Sequence, residues 1–317
     1  MTVVPDGITV ASVGGRTWAS GVAAATRMTV RTPRLWPIAL AGFLARGGIV
    51  VLLLAIVPFP SAVGLANLVG PTTVTAAGLT TAAIVLLIVV AAVFAVLLVA
   101  GAGVGAATDA VLATSLDDAE GSPGAVPEAG AAPGRTLGRL TAIRLATYAI
   151  LAVAFAIAAR PVYDALYAEL TAPTDVATPL VARVIREAAG PLLLVALVWL
   201  AVEVVGGLAV RSAVRDGVGV GGAFRRAVGR IVRRPLPTLA TTVLDLLGLL
   251  VLAVPLVASA AAWSEVRALV EERADPTAIA GTMVVLAATW IGALLVAAIA
   301  STWRGLLWTA EASRPLR

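Results

Sequence analysis

Apolar residues fall in six long blocks divided by polar, proline-rich or arginine-rich connections. The blocks cover about 36–59, 77–104, 141–159, 190–210, 236–261 and 279–302. About 20 residues at 1.5 Å each cross a hydrocarbon core of about 30 Å. Each block is therefore long enough to span, and none carries the polar stripe of a helix that faces water on one side. The pattern predicts an all-α, polytopic integral membrane bundle of six transmembrane helices. Residues 1–35 read as a partly disordered cytoplasmic N-terminal segment, 36–310 as the membrane domain and 311–317 as a cytoplasmic tail. Residues 117–138, DDAEGSPGAVPEAGAAPGRTLG, read as a flexible loop, rich in turn-forming and acidic residues.

The connections alternate in character. Residues 160–188 hold two short amphipathic segments, VYDALYAEL and PLVARVIREAA, and SEVRALVEERADP reads as an acidic linker before the sixth block. The second, fourth and sixth blocks each run on into an Ala/Gly-rich or polar extension, and arginine precedes each odd block. This predicts three consecutive helical hairpins, a candidate internal repeat.

Charge orients the layout. With six spans, 17 arginines fall on the side of both termini and five on the other, with Arg46 inside the membrane. Cytoplasmic loops carry the excess of Lys and Arg, so both termini are expected in the cytoplasm. All basic residues are arginine, in a chain rich in Ala, Val and Gly. That bias fits a GC-rich bacterial genome and predicts a multi-pass protein of a bacterial cytoplasmic membrane. The net charge of +5 belongs to this topology signal rather than to nucleic acid.

Composition narrows the chemistry. The chain is 60% hydrophobic and 13% charged, against about 25% charged in soluble domains. It has no Cys and no His, which removes the thiolate nucleophile, the commonest general base and the commonest metal ligand. No catalytic set, metal site or cofactor site emerges. Gly101, Gly103 and Gly105 do not form a dinucleotide fingerprint, since no strand precedes them. Gly101 and Gly105 do satisfy GxxxG, which allows close helix approach within the chain.

Two groups of residues remain as candidates. Residues 222–234, GAFRRAVGRIVRR, place Phe224, Ala227, Val228 and Ile231 on one helical face, with arginines on much of the other. Arg225, Arg226, Arg230, Arg233 and Arg234 would then meet anionic headgroups. The same residues could simply anchor the topology. Arg46, Glu203 and Asp245 fall inside spans, where each charge costs about 2.5–3.5 kcal/mol at a helix centre. They should face protein or water. Arg46 and Asp245 lie at similar depths in equivalent odd spans, which predicts an Arg46–Asp245 pair, with Glu203 as a second partner. Their role is structural or, alternatively, transport.

The stretch FRRAVGRIVRRPLPTLATTVLDLLGLLVLAVPLV joins a basic amphipathic helix, a proline and a long span. With the other hairpins it resembles the six-helix membrane domain of glycerophosphodiester phosphodiesterase-type proteins and related uncharacterised bacterial membrane families. The resemblance covers about residues 30–312 and rests on layout. Some members join this domain to a soluble phosphodiesterase domain. No stretch here forms one, so that activity is not carried over, and the resemblance implies a membrane-domain scaffold. The expected function is a non-enzymatic membrane scaffold or accessory protein, its basic face on anionic lipid or a protein partner. The alternative is a small-solute transporter or permease that uses the intramembrane charges.

Overall fold

The computed structural model describes residues 17–53, 74–75, 78–119, 133–172, 175 and 180–314. It is an all-α bundle. Six of its helical segments are long and apolar enough to cross a membrane. The first span is broken: α2 (Leu35–Phe43) passes through a π-helical turn at Leu44–Gly48 into α3 (Ile49–Leu53). The other spans lie in α4 (Thr81–Ala119), α5 (Pro133–Thr171), α7 (Ala189–Asp216), α9 (Pro235–Glu271) and α10 (Pro276–Ala312). Three shorter helices complete the set: α1 (Trp18–Arg31), α6 (Leu180–Glu187) and α8 (Val220–Arg233). Val74–Thr75 and Gly78–Leu79 pair as a two-residue antiparallel hairpin, β1 and β2.

Several boundaries differ from the sequence reading. Trp18–Arg31 of the N-terminal segment is helical, capped by the Thr17 side chain, which accepts from the Ser20 amide. It packs on α10. The segment VYDALYAEL is not separate but continues α5 through Pro161. SEVRALVE of the acidic linker continues α9. Ala-rich, unbranched composition propagates a helix across such polar stretches at little cost. Of the flexible-loop reading, residues 117–119 and 133–138 are helical, and 120–132 lie outside the described residues. The GxxxG reading holds as internal packing. A Cβ at Gly101 would overlap the Ala45 carbonyl oxygen, so the glycine lets α4 lie directly against the broken first span.

Consecutive spans pair as hairpins: α2 with α4, α5 with α7, and α9 with α10. The hairpins join most tightly at one end. There lie Ala106, Ala113, Leu140, Ile143, Leu208 and Val210 in one buried cluster, and Ala25, Leu35, Leu112, Leu306 and Leu307 in another. Long-range hydrogen bonds gather the termini and the basic connector at this same end. Trp18 donates to Thr241, Arg139 to the Ala213 and Gly217 carbonyls, and Arg230 to the Glu311 and Arg314 carbonyls. At the opposite end the helices present large apolar side chains outward, such as Ile88, Phe94 and Leu97 on α4 and Val254 and Val257 on α9.

Candidate functional site

A chain of buried and half-buried charges runs through all six spans, apart from two further buried pairs, Glu169 with Arg183 and Glu311 with Arg314. It starts at Arg46, on the π-turn of the first span. There Gly47 has φ 99°, a left-handed conformation that suits glycine. Arg46 donates through Nε to the Gly42 carbonyl at 3.1 Å and through Nη1 to both Asp109 carboxylate oxygens at 3.2 Å. Asp109, on α4, also accepts from Arg144 of α5. Arg144 lies 3.7 Å from Glu203 of α7, and Glu203 lies 4.0 Å from Arg304 of α10. Arg304 finally makes a two-pronged contact with Asp245 of α9, with Nη2 to Oδ2 at 2.9 Å.

Each span thus contributes one charged residue, and the signs alternate along the chain. Each hairpin also holds its own pair: Arg46 with Asp109, Arg144 with Glu203, Asp245 with Arg304. Two of these pairs are spaced alike, with Asp245 and Arg304 59 positions apart and Arg144 and Glu203 the same distance. The pair Arg46 and Asp109 spans 63 positions. The polarity reverses in the third hairpin, where the odd span carries the acid.

A seventh member, Arg211, extends the network from α7. It donates to the Gly207 and Gly305 carbonyls at 2.9 Å and to the Thr309 hydroxyl at 3.1 Å, and its Nη2 lies 3.9 Å from Asp109. Asp109 therefore faces three guanidinium groups. Partners at this number offset the desolvation of a buried carboxylate, which would otherwise cost several kcal/mol.

Of the three span charges picked out by sequence, all belong to this network, but with other partners. The expected Arg46–Asp245 pair is not formed among the described residues. Arg46 engages Asp109 of its own hairpin and Asp245 engages Arg304 of its own. The two odd spans do meet, with Phe43 and Leu52 in one buried cluster with Leu252, but through apolar side chains, while each charge turns to the even span of its own hairpin. Glu203 takes the second-partner role, toward Arg144 and Arg304 rather than Arg46. Asp109, Arg144, Arg211 and Arg304 were missed. Asp109 read as part of a polar extension, and the three arginines counted as topology signals. Arg144 and Arg211 are 1% and 2% exposed, so they are core residues. The arginine-rich side still leads once they and Arg304 are set aside. A repeat of charge at near-constant spacing was the available signal.

A cleft of 560 Å³ opens against the network between the first, fourth and fifth spans. Arg46, Glu203 and Arg304 supply its polar wall, and Val51, Trp199, Leu250 and Leu256 are among its apolar lining. Trp199 is 37% exposed here. Asp109, Arg144 and Asp245 lie behind this wall.

The basic helix is placed differently from the rest. In α8, Ala223 and Ala227 are buried against the protein and Phe224 and Ile231 pack beside them, while Val228 and Val232 are exposed. Its apolar side therefore seals the bundle, and little of it is left for an acyl boundary. Arg225, Arg226 and Arg233 are exposed, with Arg226 paired to Asp216, while Arg230 and Arg234 are half-buried. Burial pushes the Arg230 guanidinium below the usual arginine range, partly countered by Glu311. Among the described residues no group of three or more Asp, Glu, His or Cys could hold a metal ion. No protein-family model, curated protein or solved structure matches the chain.

Proposed function

We propose that the protein is a non-enzymatic membrane scaffold or accessory protein, multi-pass in a bacterial cytoplasmic membrane with both termini inside. The observation that carries this reading is the paired charge network. Each of the six network charges meets an opposite charge from a neighbouring helix, an arrangement that fixes helix register and orientation more than it drives movement. The basic end then serves as the working surface. Arg225, Arg226 and Arg233 point away from the bundle, and each arginine near a surface of anionic lipid gains about 1 kcal/mol. The layout resemblance to six-helix membrane domains supports the same reading. Extraction from native membrane followed by identification of co-purifying protein and lipid tests it. One stoichiometric protein partner or a selected anionic lipid supports the scaffold, and a chain that emerges with neither counts against it.

The cleft favours a second reading, a small-solute transporter. Arg46, Glu203 and Arg304 reach its wall, so a charged solute could enter from that side. Saturable solute flux in proteoliposomes would replace the scaffold reading with this one.

A further inference from the structure

We propose that the cleft between the first, fourth and fifth spans binds one phospholipid with a singly charged, hydroxylated headgroup, of the phosphatidylglycerol type. The site differs from the basic face of α8 and does not depend on the scaffold reading.

Length sets the depth of the site. The four helices α4, α5, α9 and α10 have 37–39 residues, or about 55–58 Å at 1.5 Å per residue. That is nearly twice the hydrocarbon thickness of about 30 Å. Large apolar side chains are exposed over Ile84–Val99 on α4, Ile150–Leu170 on α5, Leu236–Val257 on α9 and Met283–Leu295 on α10. The charged residues of the cleft wall lie on the basic-end side of such residues: Arg46 before Ile49–Leu53, Glu203 after Leu193–Trp199 and Arg304 after Met283–Leu295, while Asp245 lies within the α9 belt. The charged wall of the cleft therefore sits at headgroup level, and its apolar wall runs down into the hydrocarbon.

Charge sets the ligand. The three charged residues on the cleft wall are Arg46, Arg304 and Glu203, one positive charge in excess. The whole network gives the same excess among the described residues, with four arginines against three carboxylates. A phosphodiester supplies one negative charge and two free oxygens that accept from guanidinium N–H groups. Arg46 and Arg304, 20% and 13% exposed at the side chain, are the network arginines that reach the wall. Glu203, 28% exposed, is a poor neighbour for a bare phosphate but accepts hydrogen bonds from headgroup hydroxyls. An acyl chain then lies along Val51, Leu250 and Leu256. The cavity holds a headgroup and the first part of a chain, and its lipid-facing side leaves the rest of the chains in the bilayer.

Native mass spectrometry of the full-length protein in detergent, titrated with phosphatidylglycerol or phosphatidylcholine, tests the assignment. One phosphatidylglycerol should be retained per chain, with about tenfold preference over phosphatidylcholine, equivalent to about 1.4 kcal/mol. Arg46→Gln should abolish that preference. Leu250→Trp fills the cleft without touching the charge network and should lower retention of the single tight lipid by a similar factor. Free glycerol phosphate, which lacks acyl chains, should not displace it. Equal retention of the two lipids overturns the proposal, as does full retention in Leu250→Trp. Displacement by glycerol phosphate overturns the lipid source in favour of a soluble anion.

Discussion

The two ends of this bundle are built from similar amino acids and held in opposite ways. At the basic end, small residues bring helices close, and a chain of ion pairs crosses every span. At the other end, valine, leucine and phenylalanine point outward, and one buried pair, Arg183 with Glu169, ties α6 to α5. Water rewards burial of large apolar side chains, but lipid tails do not. In lipid, the side chains that gain by meeting one another are those that pack closely or carry unmet polar groups. The small residues and charges are therefore inside, and the large hydrophobics are outside. Stability should be concentrated accordingly at the charged end.

The most damaging way to break this contrast is to reverse one charge. Asp245→Arg would set two guanidiniums together and should cost at least about 3–5 kcal/mol of stability in detergent, the usual cost of breaking a buried pair. Asp245→Arg with Arg304→Asp should recover most of it, as read by thermal unfolding; no recovery would mean that the pair is not the unit. Asp109→Ala removes the acid shared by Arg46, Arg144 and Arg211, and a loss of about 3–5 kcal/mol is expected by the same measurement. Gly101→Val forces a side chain against the Ala45 carbonyl and should cost about 1–3 kcal/mol, the range for overpacking. Leu97→Ala at the lipid-facing end should change stability by less than about 0.5 kcal/mol. An effect as large as that of Gly101→Val would show a contact that the isolated chain does not make, such as a second copy.

The smallest effect concerns the start of α10. Asp275 caps this helix, accepting from the Thr277 amide at 3.3 Å and from its hydroxyl. The Thr277 hydroxyl, then its amide, hold the Asp275 carboxyl below the usual carboxylate range. A folded-state value lowered in this way adds stability above the unfolded value of about 3.9. That contribution fades as pH falls through the lower folded value. Hydrogen exchange near Thr277 should rise below about pH 4, and Asp275→Ala should remove the dependence.

Span number, hairpin pairing and the presence of charge in the core were legible in the sequence. Apolar block length and arginine placement are local signals, and local signals set helices. The partners were not legible. Arg46, Glu203 and Asp245 stood out because they interrupt apolar runs. Asp109 and Arg304 went unnoticed because they lie just past such runs, in segments indistinguishable from interfacial extensions. Only packing separates a buried arginine such as Arg144 from a solvated one such as Arg160, and packing depends on residues distant in sequence. The broken first span was equally hidden, since Gly47 differs from its neighbour Gly48 in backbone angle and not in kind.

The distribution of charge among the hairpins bears on how the chain enters the bilayer. Helical hairpins emerge from the ribosome in order, and each one here carries a cation and an anion that meet within the hairpin itself. The first and third can therefore enter the bilayer as nearly neutral units, and the second, with Arg211 in excess, draws on Asp109 of the hairpin already in place. The contacts that link hairpins, Arg144 to Asp109 and Arg304 to Glu203, then form by lateral exchange as each new hairpin arrives. Assembly would proceed like closing a zip of alternating teeth, and a chain cut after any complete hairpin would leave no unmatched charge among these pairs.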